Sequence, residues 1–409
     1  MAPDAPPRAR LLNAAVVLAT LALALGVVEI VLRVWLPVRG VIVAIDDRYL
    51  FQHVPESRRL AGAGDGSWPG VLVRINAAGR RGDESGLSRA ARRVIVYGDS
   101  FIAAEDTPVD RTFAVSLERL LADRGVAVLN AGVTGYGPDQ VALRLQDEAA
   151  ALKPDVVIVA LFAGNDFGDL LRNKLFRLDA DGALARNAPV IADDLRRDFT
   201  APLAWSSIQV VRAVQSGWQR WRARRAAAPP PVLDRTGTRL ANRLAEYESY
   251  VVNGDNVVRN LIADEYDADV SLQPDSASAR YRVRLMGQVV DRIRDLVEGV
   301  GARLLLLVIP EWCDVGGPCD EERAARRRFP GYRADGLTEA LASVARDRGI
   351  DVVDLFEPFR SAGPSRLYYV ADQHWNPAGQ SLAARLTADR LGSAGWLGPA
   401  ASPGRRPAR

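Results

Sequence analysis

The sequence predicts an α/β fold, in which a mostly parallel five-stranded sheet is covered by helices on both faces as a three-layer α/β/α sandwich. From residue 94 onward, a short apolar run, a turn and an amphipathic helix alternate repeatedly. The apolar runs are continuous and rich in β-branched residues, which is typical of parallel strands buried on both faces. The predicted strands cover residues 94–97, 126–129, 155–162, 303–309 and 351–356. The predicted helices cover residues 112–124, 139–152, 280–300, 337–348 and 377–391.

The alternation is interrupted once, so the predicted α/β domain consists of two segments, residues 94–166 and 280–395. The interruption, residues 167–279, exceeds an ordinary connection and is expected to form a helical cap. Within it, residues 205–225 place Trp and aliphatic side chains on one stripe, which fits a lid helix or a helix at a membrane surface. The other predicted segments are a connector that packs on the domain edge and a flexible tail, residues 37–93 and 396–409.

The N-terminal segment predicts a membrane anchor. Residues 11–28 contain nothing more polar than Asn and Thr, and such a run spans about 27 Å as a helix. We expect a transmembrane helix over residues 11–36, with residues 1–10 as a cytoplasmic tail and the body in the periplasm or outside the cell. Basic residues are equally numerous on the two sides, so the orientation depends on the short N-terminal tail. A cleaved signal peptide is the alternative, although no small-residue cleavage site follows the segment.

The composition excludes several function classes. The chain has 409 residues, of which 48% are hydrophobic and 25% charged, which excludes disorder throughout. The net charge is only +3 and the basic residues are scattered, so no nucleic-acid partner is expected. With only His53, His374, Cys313 and Cys319, histidine or cysteine clusters for a metal are not expected, and no cofactor is predicted. The two cysteines form either a small-loop disulfide or two unpaired thiols.

Polar clusters follow four of the five predicted strands. Because open α/β sheets place their sites at the carboxyl ends of parallel strands, these clusters are expected to meet at one edge of the sheet. In chain order they are Gly98-Asp99-Ser100, Asn130-Ala131-Gly132-Val133-Thr134-Gly135, Gly164-Asn165-Asp166 and Asp372-Gln373-His374.

Together the clusters contain the parts of a nucleophilic acyl-transfer site. Such a site needs a hydroxyl nucleophile, a base, a carboxylate that orients the base, and donors for the oxyanion. Ser100 lies at a strand-to-helix turn, and His374 with Asp372 two residues before it follows the last strand. The oxyanion donors are expected to be the backbone N–H groups of Ser100 and Gly135 and the side-chain amide of Asn165. The other histidine, in the connector near a proline, is expected to be a surface or packing residue.

In this order and after these strands, the clusters resemble the four sequence blocks of the SGNH (GDSL-type) hydrolase superfamily. The resemblance implies that Ser100 is the nucleophile, that His374 is the general base and that Asp372 orients it. It also implies that Gly135 and Asn165 are oxyanion-hole partners.

The resemblance covers about residues 93–170 and 302–391. Most of the superfamily places the acid three residues before the histidine, where this sequence has Ala371. The form Asp372-Gln373-His374-Trp375 is similar to the branch that includes the alginate O-acetyltransferases and related extracytoplasmic proteins of polysaccharide modification. This similarity shifts the expectation from simple ester hydrolysis towards acyl transfer on a glycan.

The predicted function is therefore that of a membrane-anchored extracytoplasmic serine esterase or O-acyltransferase, acting on O-acyl esters, in particular O-acetyl esters, of a cell-surface or exported glycan. A lipase or lysophospholipase is one alternative, and a catalytically weak glycan-binding or assembly component is another. The expected partners are the ester substrate and the membrane. A transferase that works outside the cytoplasm, away from cytosolic acetyl donors, also needs a membrane partner that supplies the acyl group.

Overall fold

The computed structural model describes residues 7–34, 43–61, 70–84, 86–88, 90–200, 210, 235–263, 265–370 and 372–398. The stripe predicted over residues 205–225 lies outside the described residues except for Val210. Of the predicted tail, only residues 396–398 are described, and Ala371 also lies outside the described residues.

Helices and strands are numbered in chain order within the described residues. The helices α1 to α13 are Pro7–Val34, Ser100–Ala103, Phe113–Leu120, Pro138–Leu152, Asp166–Asn173, Asp193–Thr200, Arg235–Tyr247, Ala268–Leu272, Ala277–Gly299, Asp320–Arg326, Gly336–Arg346, Phe356–Ala362 and Pro377–Ser393. The strands β1 to β13 are Val43–Asp46, Leu50–His53, Arg58–Ala61, Val71–Arg74, Arg92–Tyr97, Val126–Asn130, Val156–Phe162, Phe176–Leu178, Leu184–Arg186, Val190–Ile191, Val257–Val258, Arg303–Ile309 and Asp351–Asp354.

Helix α1 contains an apolar stretch that is long enough to cross a membrane. The stretch runs from Leu11 to Val31 with a mean hydropathy of 2.5, and none of its most apolar window is buried against the rest of the chain. Length and composition fit an anchor, and they fit a signal sequence equally well.

The central sheet has five parallel strands in the order β13-β12-β7-β5-β6. The predicted α/β architecture with a five-stranded parallel sheet is confirmed. The last strand ends at Asp354, two residues earlier than predicted. The reason is local, because the side chain of Asp354 accepts a hydrogen bond from the backbone N–H of Phe356, where α12 begins.

Alternate residues of the central strands face opposite layers of helices. In β5, Ile95 and Tyr97 pack into one apolar cluster, and Val94 and Val96 pack into the other. The first cluster includes side chains of α4, α9 and α11, whereas the second includes side chains of α3, α12 and α13. Both faces of the sheet are therefore buried, which gives the predicted three layers.

The insertion between the two segments of the domain is more than a set of helices. Its described part includes α6, α7 and α8, and also the antiparallel pair β8 and β9 and the short parallel pair β10 and β11. The turn between β8 and β9 is set by Asp179, whose side chain accepts hydrogen bonds from the backbone N–H groups of Asp181 and Ala183, and by Gly182 with a φ of +82°. The prediction of a helical cap did not include this hairpin.

The two cysteines form a disulfide, Cys313–Cys319, so the first of the two alternatives holds. The fully buried guanidinium of Arg326 donates to Asp314, in the loop between the two cysteines, at 2.6 Å and lies 3.7 Å from the ring centroid of Tyr266. The disulfide loop is thereby connected to a residue two positions before α8.

The central strand β12 provides a test of this packing. Leu306 is fully buried in the first apolar cluster, so Leu306→Ala is expected to lower the free energy of unfolding by about 2–5 kcal/mol. The matched control is Leu120, which is 45% exposed at the end of α3. Leu120→Ala is expected to change the free energy of unfolding by less than about 1 kcal/mol. Urea denaturation of both variants measures the difference; equal midpoints would contradict the assigned core.

Candidate active site

Ser100 is the first residue of α2, immediately beyond the carboxyl end of the central strand β5. Asp99 caps this short helix, because its side chain accepts a hydrogen bond from the backbone N–H of Phe101 at 2.9 Å. The turn before it is tight: a Cβ on Gly98 would lie 2.8 Å from the side chain of Ile102. The Ser100 side chain is thus held at the sheet edge by a turn that only glycine permits.

The loop that follows β6 packs directly on α2. A Cβ on Gly132 would lie 2.6 Å from the backbone nitrogen of Ala103, so the close approach requires glycine. Asn130 fixes the two segments together, since its side-chain amide donates to the carbonyl of Ile102 at 2.7 Å and its oxygen accepts from the N–H of Gly132 at 3.0 Å.

His374 lies in the loop before α13, and this loop is anchored at both ends. Asn376 is the N-cap of α13, where its side chain accepts from the N–H groups of Ala378 and Gly379. Gln380, in the first turn, accepts from the N–H of Phe113 and donates to the carbonyl of Phe101, which connects α13 with α3 and α2. The aromatic ring of Phe101 packs against the imidazole with a centroid distance of 4.9 Å.

The two loops bring Ser100, His374 and Asp372 together. The Nε2 atom of His374 lies 2.7 Å from the Oγ atom of Ser100, and its Nδ1 atom lies 3.4 Å from Oδ2 of Asp372. The other oxygen of Asp372 accepts from the backbone N–H of His374 at 3.1 Å. A hydroxyl, an imidazole and a carboxylate in this series allow a proton to pass from the serine to the histidine.

Carboxylates dominate the electrostatics of the imidazole. Burial opposes its protonation, but the negative charges of Asp372, Asp106 and Asp99 outweigh burial and raise the pKa of His374 to about 9. Burial also opposes ionisation of Asp372, yet hydrogen bonding to His374 outweighs it and holds the pKa of that carboxyl below its ordinary value. The imidazole and the carboxylate therefore form a charged pair at neutral pH.

Asn165 presents an unpaired amide beside the nucleophile's strand. It follows β7, which flanks β5, and it is only 2% exposed. Both its side-chain nitrogen and its side-chain oxygen are buried without a hydrogen-bond partner among the described residues. A buried amide without partners costs free energy, and functional sites are where such groups are found.

The neighbouring Asp166 fixes the Asn165 loop. Its side chain accepts from the backbone N–H of Phe162 at 2.7 Å, which fits the turn-forming role of an aspartate. Burial and the nearby Asp99, Asp169 and Asp267 hold the pKa of the Asp166 carboxyl well above its ordinary value.

Gly135 lies in the loop after β6, the strand on the other side of β5. Its φ of +83° suits glycine, and a Cβ there would lie 3.1 Å from Ile262 of the insertion and 3.4 Å from Phe51 of β2. Its carbonyl accepts from the Arg172 guanidinium at 2.6 Å, which fixes the orientation of the peptide. The loops that carry Gly135, Ser100 and Asn165 thus follow three adjacent strands.

The N-terminal connector packs on this edge of the sheet through Glu105. This buried carboxylate is paired with the Arg59 guanidinium of β3 and accepts from the Thr134 hydroxyl at 2.8 Å. His53 of β2 is 2% exposed, with Nε2 3.7 Å from Oε1 of Glu105. Burial and the charge of Arg144 lower the pKa of His53 to about 3, so this histidine is a neutral packing residue, the second of the two alternatives that the sequence left open.

Residues 266–404 match the family model of the SGNH hydrolase-like domain of the acetyltransferase AlgX. The chain carries an SGNH hydrolase-like domain. The match includes Asp372 and His374, whereas Ser100, Gly135 and Asn165 precede the matched residues. The fold brings Ser100 into contact with His374. With this domain, the protein is an ester-acting enzyme, either a hydrolase or an acyltransferase. No curated protein sequence matches the chain significantly.

Several solved structures are similar to the chain at low scores. A lipase/acylhydrolase from Enterococcus faecalis has 14% identity, covers 74% of this chain and 96% of its own, and gives a TM-score of 0.36. A catalytic mutant of Axe2, an acetylxylan esterase from Geobacillus stearothermophilus, has 12% identity, coverages of 74% and 95%, and a TM-score of 0.35. A two-domain esterase active on acetylated mannans has 10% identity, coverages of 79% and 54%, and a TM-score of 0.37.

Sequence reasoning overlooked two acidic residues of the candidate site, Glu105 and Asp106. Both lie within six residues of Ser100, in the turn after α2, and this proximity was the only available signal. Their partners Arg59 and Asp372 are far away in the sequence, so the contacts follow from the tertiary fold.

The raised pKa of His374 predicts an alkaline pH dependence. A protonated imidazole is unable to accept the proton of Ser100, so kcat/KM for p-nitrophenyl acetate is expected to rise with pH and to level off above pH about 9. Rates are measured against Ser100→Ala, which corrects for spontaneous hydrolysis. A rise centred near pH 6.5, the ordinary pKa of histidine, would show that the surrounding carboxylates do not control the imidazole.

Proposed function

We propose that the protein is a membrane-anchored extracytoplasmic serine esterase or O-acyltransferase, which acts on O-acyl esters, in particular O-acetyl esters, of a cell-surface or exported glycan. The observation that carries the proposal is the 2.7 Å contact between Ser100 Oγ and His374 Nε2, with Asp372 on the opposite side of the imidazole. Ser100 is the nucleophile, His374 the general base, and Asp372 the carboxylate that orients it.

In the first half-reaction, the Ser100 oxygen attacks the acyl carbon of the donor ester while its proton passes to Nε2 of His374. The carbonyl oxygen becomes an oxyanion. When the tetrahedral intermediate collapses, the bond to the donor oxygen breaks and the imidazolium returns the proton to that oxygen. The products are an acyl ester on Ser100 and a free alcohol.

In the second half-reaction, a hydroxyl group attacks the acyl-Ser100 ester. The imidazole accepts its proton, and Ser100 takes the proton back as the ester bond breaks. A water molecule gives ester hydrolysis, and a sugar hydroxyl gives transfer to a glycan. The same residues serve both outcomes, so exclusion of water from the site decides between them.

The oxyanion is bound by the Asn165 side-chain amide together with the backbone N–H groups of Ser100 and Gly135. Asn165 is the member of this set with the most direct support, because its buried amide nitrogen has no hydrogen-bond partner among the described residues. Donors fixed before the reaction stabilise the transition state without reorganisation.

One feature supports the choice of acyl group, and two support the cellular setting. The match to an acetyltransferase domain favours acetyl as the acyl group. The exposed apolar stretch from Leu11 to Val31 is suited to hold the chain at a membrane. The Cys313–Cys319 disulfide is typical of an oxidising compartment such as the periplasm. Since acetyl donors are cytosolic, a transferase in this location needs a membrane partner that delivers the acyl group.

Transfer and hydrolysis are separated in a single assay with the full chain in detergent micelles. The donor is p-nitrophenyl acetate, the acceptors are neutral and uronic-acid oligosaccharides, and the products are analysed by mass spectrometry. We expect acetylated acceptor from the wild type and from the control Ser361→Ala, which alters an exposed serine on α12. Ser100→Ala is expected to give none.

Other outcomes of this assay have defined meanings. Free acetate without acetylated acceptor favours an esterase. Activity confined to long-chain acyl esters would contradict the acetyl assignment and support a lipase. Product formation by Ser100→Ala at the wild-type rate would contradict the serine mechanism.

The oxyanion assignment gives a separate prediction. Asn165→Ala removes the unpaired amide and is expected to lower kcat by about 10²–10³-fold with little change in KM. Asn242→Ala, which alters an exposed asparagine on α7, is the matched control and is expected to retain wild-type kcat. Steady-state kinetics of folded variants decide the question, and equal kcat values for the two would remove Asn165 from the oxyanion hole.

A further inference from the structure

The proposed mechanism leaves one acidic group beside the imidazole without a role. Asp106 lies in the turn after α2, six residues beyond Ser100, and is partly buried. One carboxylate oxygen each of Asp106 and Asp372 and a ring nitrogen of His374 all lie within 4.8 Å of one another. Asp106 therefore reaches the histidine and its carboxylate from the opposite loop of the site.

The backbone around Asp106 is fixed from two directions. The buried guanidinium of Arg81 donates to the carbonyls of Ala103, Ala104 and Thr107, on either side of Asp106. From the loop that carries His374, the Tyr369 hydroxyl donates to the carbonyl of Asp106 at 3.3 Å. These contacts hold the turn against the histidine loop, so the position of the Asp106 carboxylate is set by the fold.

The charges that face this cluster come from several elements. His374 faces Asp372 of its own loop, Asp106 of the turn after α2 and Asp99 of the turn after β5. Asp106 in turn faces Arg59 of β3 and Arg81 of the connector. Because Arg59 is also paired with Glu105, its charge is shared between two carboxylates. The titratable side chain of Tyr369 also faces Asp106 and Asp372.

The two carboxyl groups differ in their affinity for protons. Burial raises the pKa of Asp106, and the nearby charge of Asp372 together with a hydrogen bond between the two groups adds to burial, against the opposing charge of His374. The same hydrogen bond helps to lower the pKa of Asp372. As the pH falls, Asp106 takes up a proton first and donates it in a hydrogen bond to Asp372, which stays ionised beside the imidazole.

We propose that Asp106 is a positioning residue. When ionised, its carboxylate adds a second negative charge that stabilises the imidazolium, and when protonated, its O–H donates to Asp372 and holds that carboxylate beside His374. This role rests on the proposed function, in which His374 becomes an imidazolium each time it accepts the Ser100 proton. Asp106 touches neither Ser100 nor the acyl group in this scheme and acts only through its two neighbours.

The test measures the titration of His374 directly. Because the sequence has only two histidines, [¹³Cε1]-histidine labelling of the full chain in detergent micelles gives two NMR signals, and His374→Ala assigns them. In Asp106→Asn, which keeps the size and the hydrogen bond to Asp372 but removes the charge, the pKa of His374 is expected to fall by about one unit. Asp110→Asn, an exposed aspartate four residues further on, is the matched control and is expected to leave the pKa unchanged.

Two further variants separate the effect of the Asp106 charge from that of its hydrogen bond, and the His53 signal shows whether each variant is folded. Asp106→Glu restores the charge and is expected to return the His374 titration towards that of the wild type. Asp106→Ala removes both the charge and the hydrogen bond, and is expected to lower kcat more than Asp106→Asn does, with KM nearly constant. If the signal of His53 is retained, the buried connector contact has survived and the variant is folded at this edge of the sheet.

The outcomes distinguish this proposal from the proposed function. A His374 titration that is identical in Asp106→Asn, Asp110→Asn and the wild type would overturn the role of Asp106, whatever the enzyme turns over. A lowered pKa in Asp106→Asn together with no turnover by the wild type would refute the proposed function and retain the electrostatic role. A lowered pKa accompanied by a matching shift of the kcat/KM profile to lower pH supports both.

Discussion

The hydrogen bond between Ser100 and His374 joins two parts of the chain that are 274 residues apart, and the surrounding structure is arranged so that it forms. Ser100 is fixed by the end of β5, and His374 is fixed by the N-cap of α13. Gln380 connects the two directly, because it bonds to the carbonyl of Phe101 next to the nucleophile and to the start of α3. A shift of α13 relative to α2 would therefore separate the histidine from the serine.

The framework of the fold was readable from the sequence because it depends on local patterns. Continuous apolar runs identified the five central strands, and the polar residues after them identified Ser100, Asn165 and His374. The β8–β9 hairpin was overlooked because its signal is an Asp-x-x-Gly turn between strands of only three residues. Asp106 and Glu105 were overlooked for another reason: an acidic residue in a turn has no distinctive pattern, and its role is defined by partners from distant segments. Likewise, no local pattern indicated that Asp314 pairs with the fully buried Arg326.

The connector contributes more to the site than its sequence indicated. Arg81 binds three carbonyls around the turn that carries Asp106, and Arg59 pairs with Glu105, which in turn holds Thr134 beside Gly135. Phe51 lies 3.4 Å from where a Cβ on Gly135 would be, so the connector packs directly on this loop. The described part of the segment between the apolar helix and the α/β domain therefore supports the turn after α2 and the loop that carries Gly135.

The central claim is that Ser100 is a nucleophile activated by His374, and covalent labelling tests it most directly. An alkyl fluorophosphonate reacts with an activated serine, whose oxygen displaces fluoride from phosphorus, and peptide mass spectrometry locates the adduct. The account predicts one adduct, on Ser100, with a labelling rate that falls by at least about 100-fold in His374→Ala. Labelling of another residue, or equal rates in the wild type and His374→Ala, would contradict it.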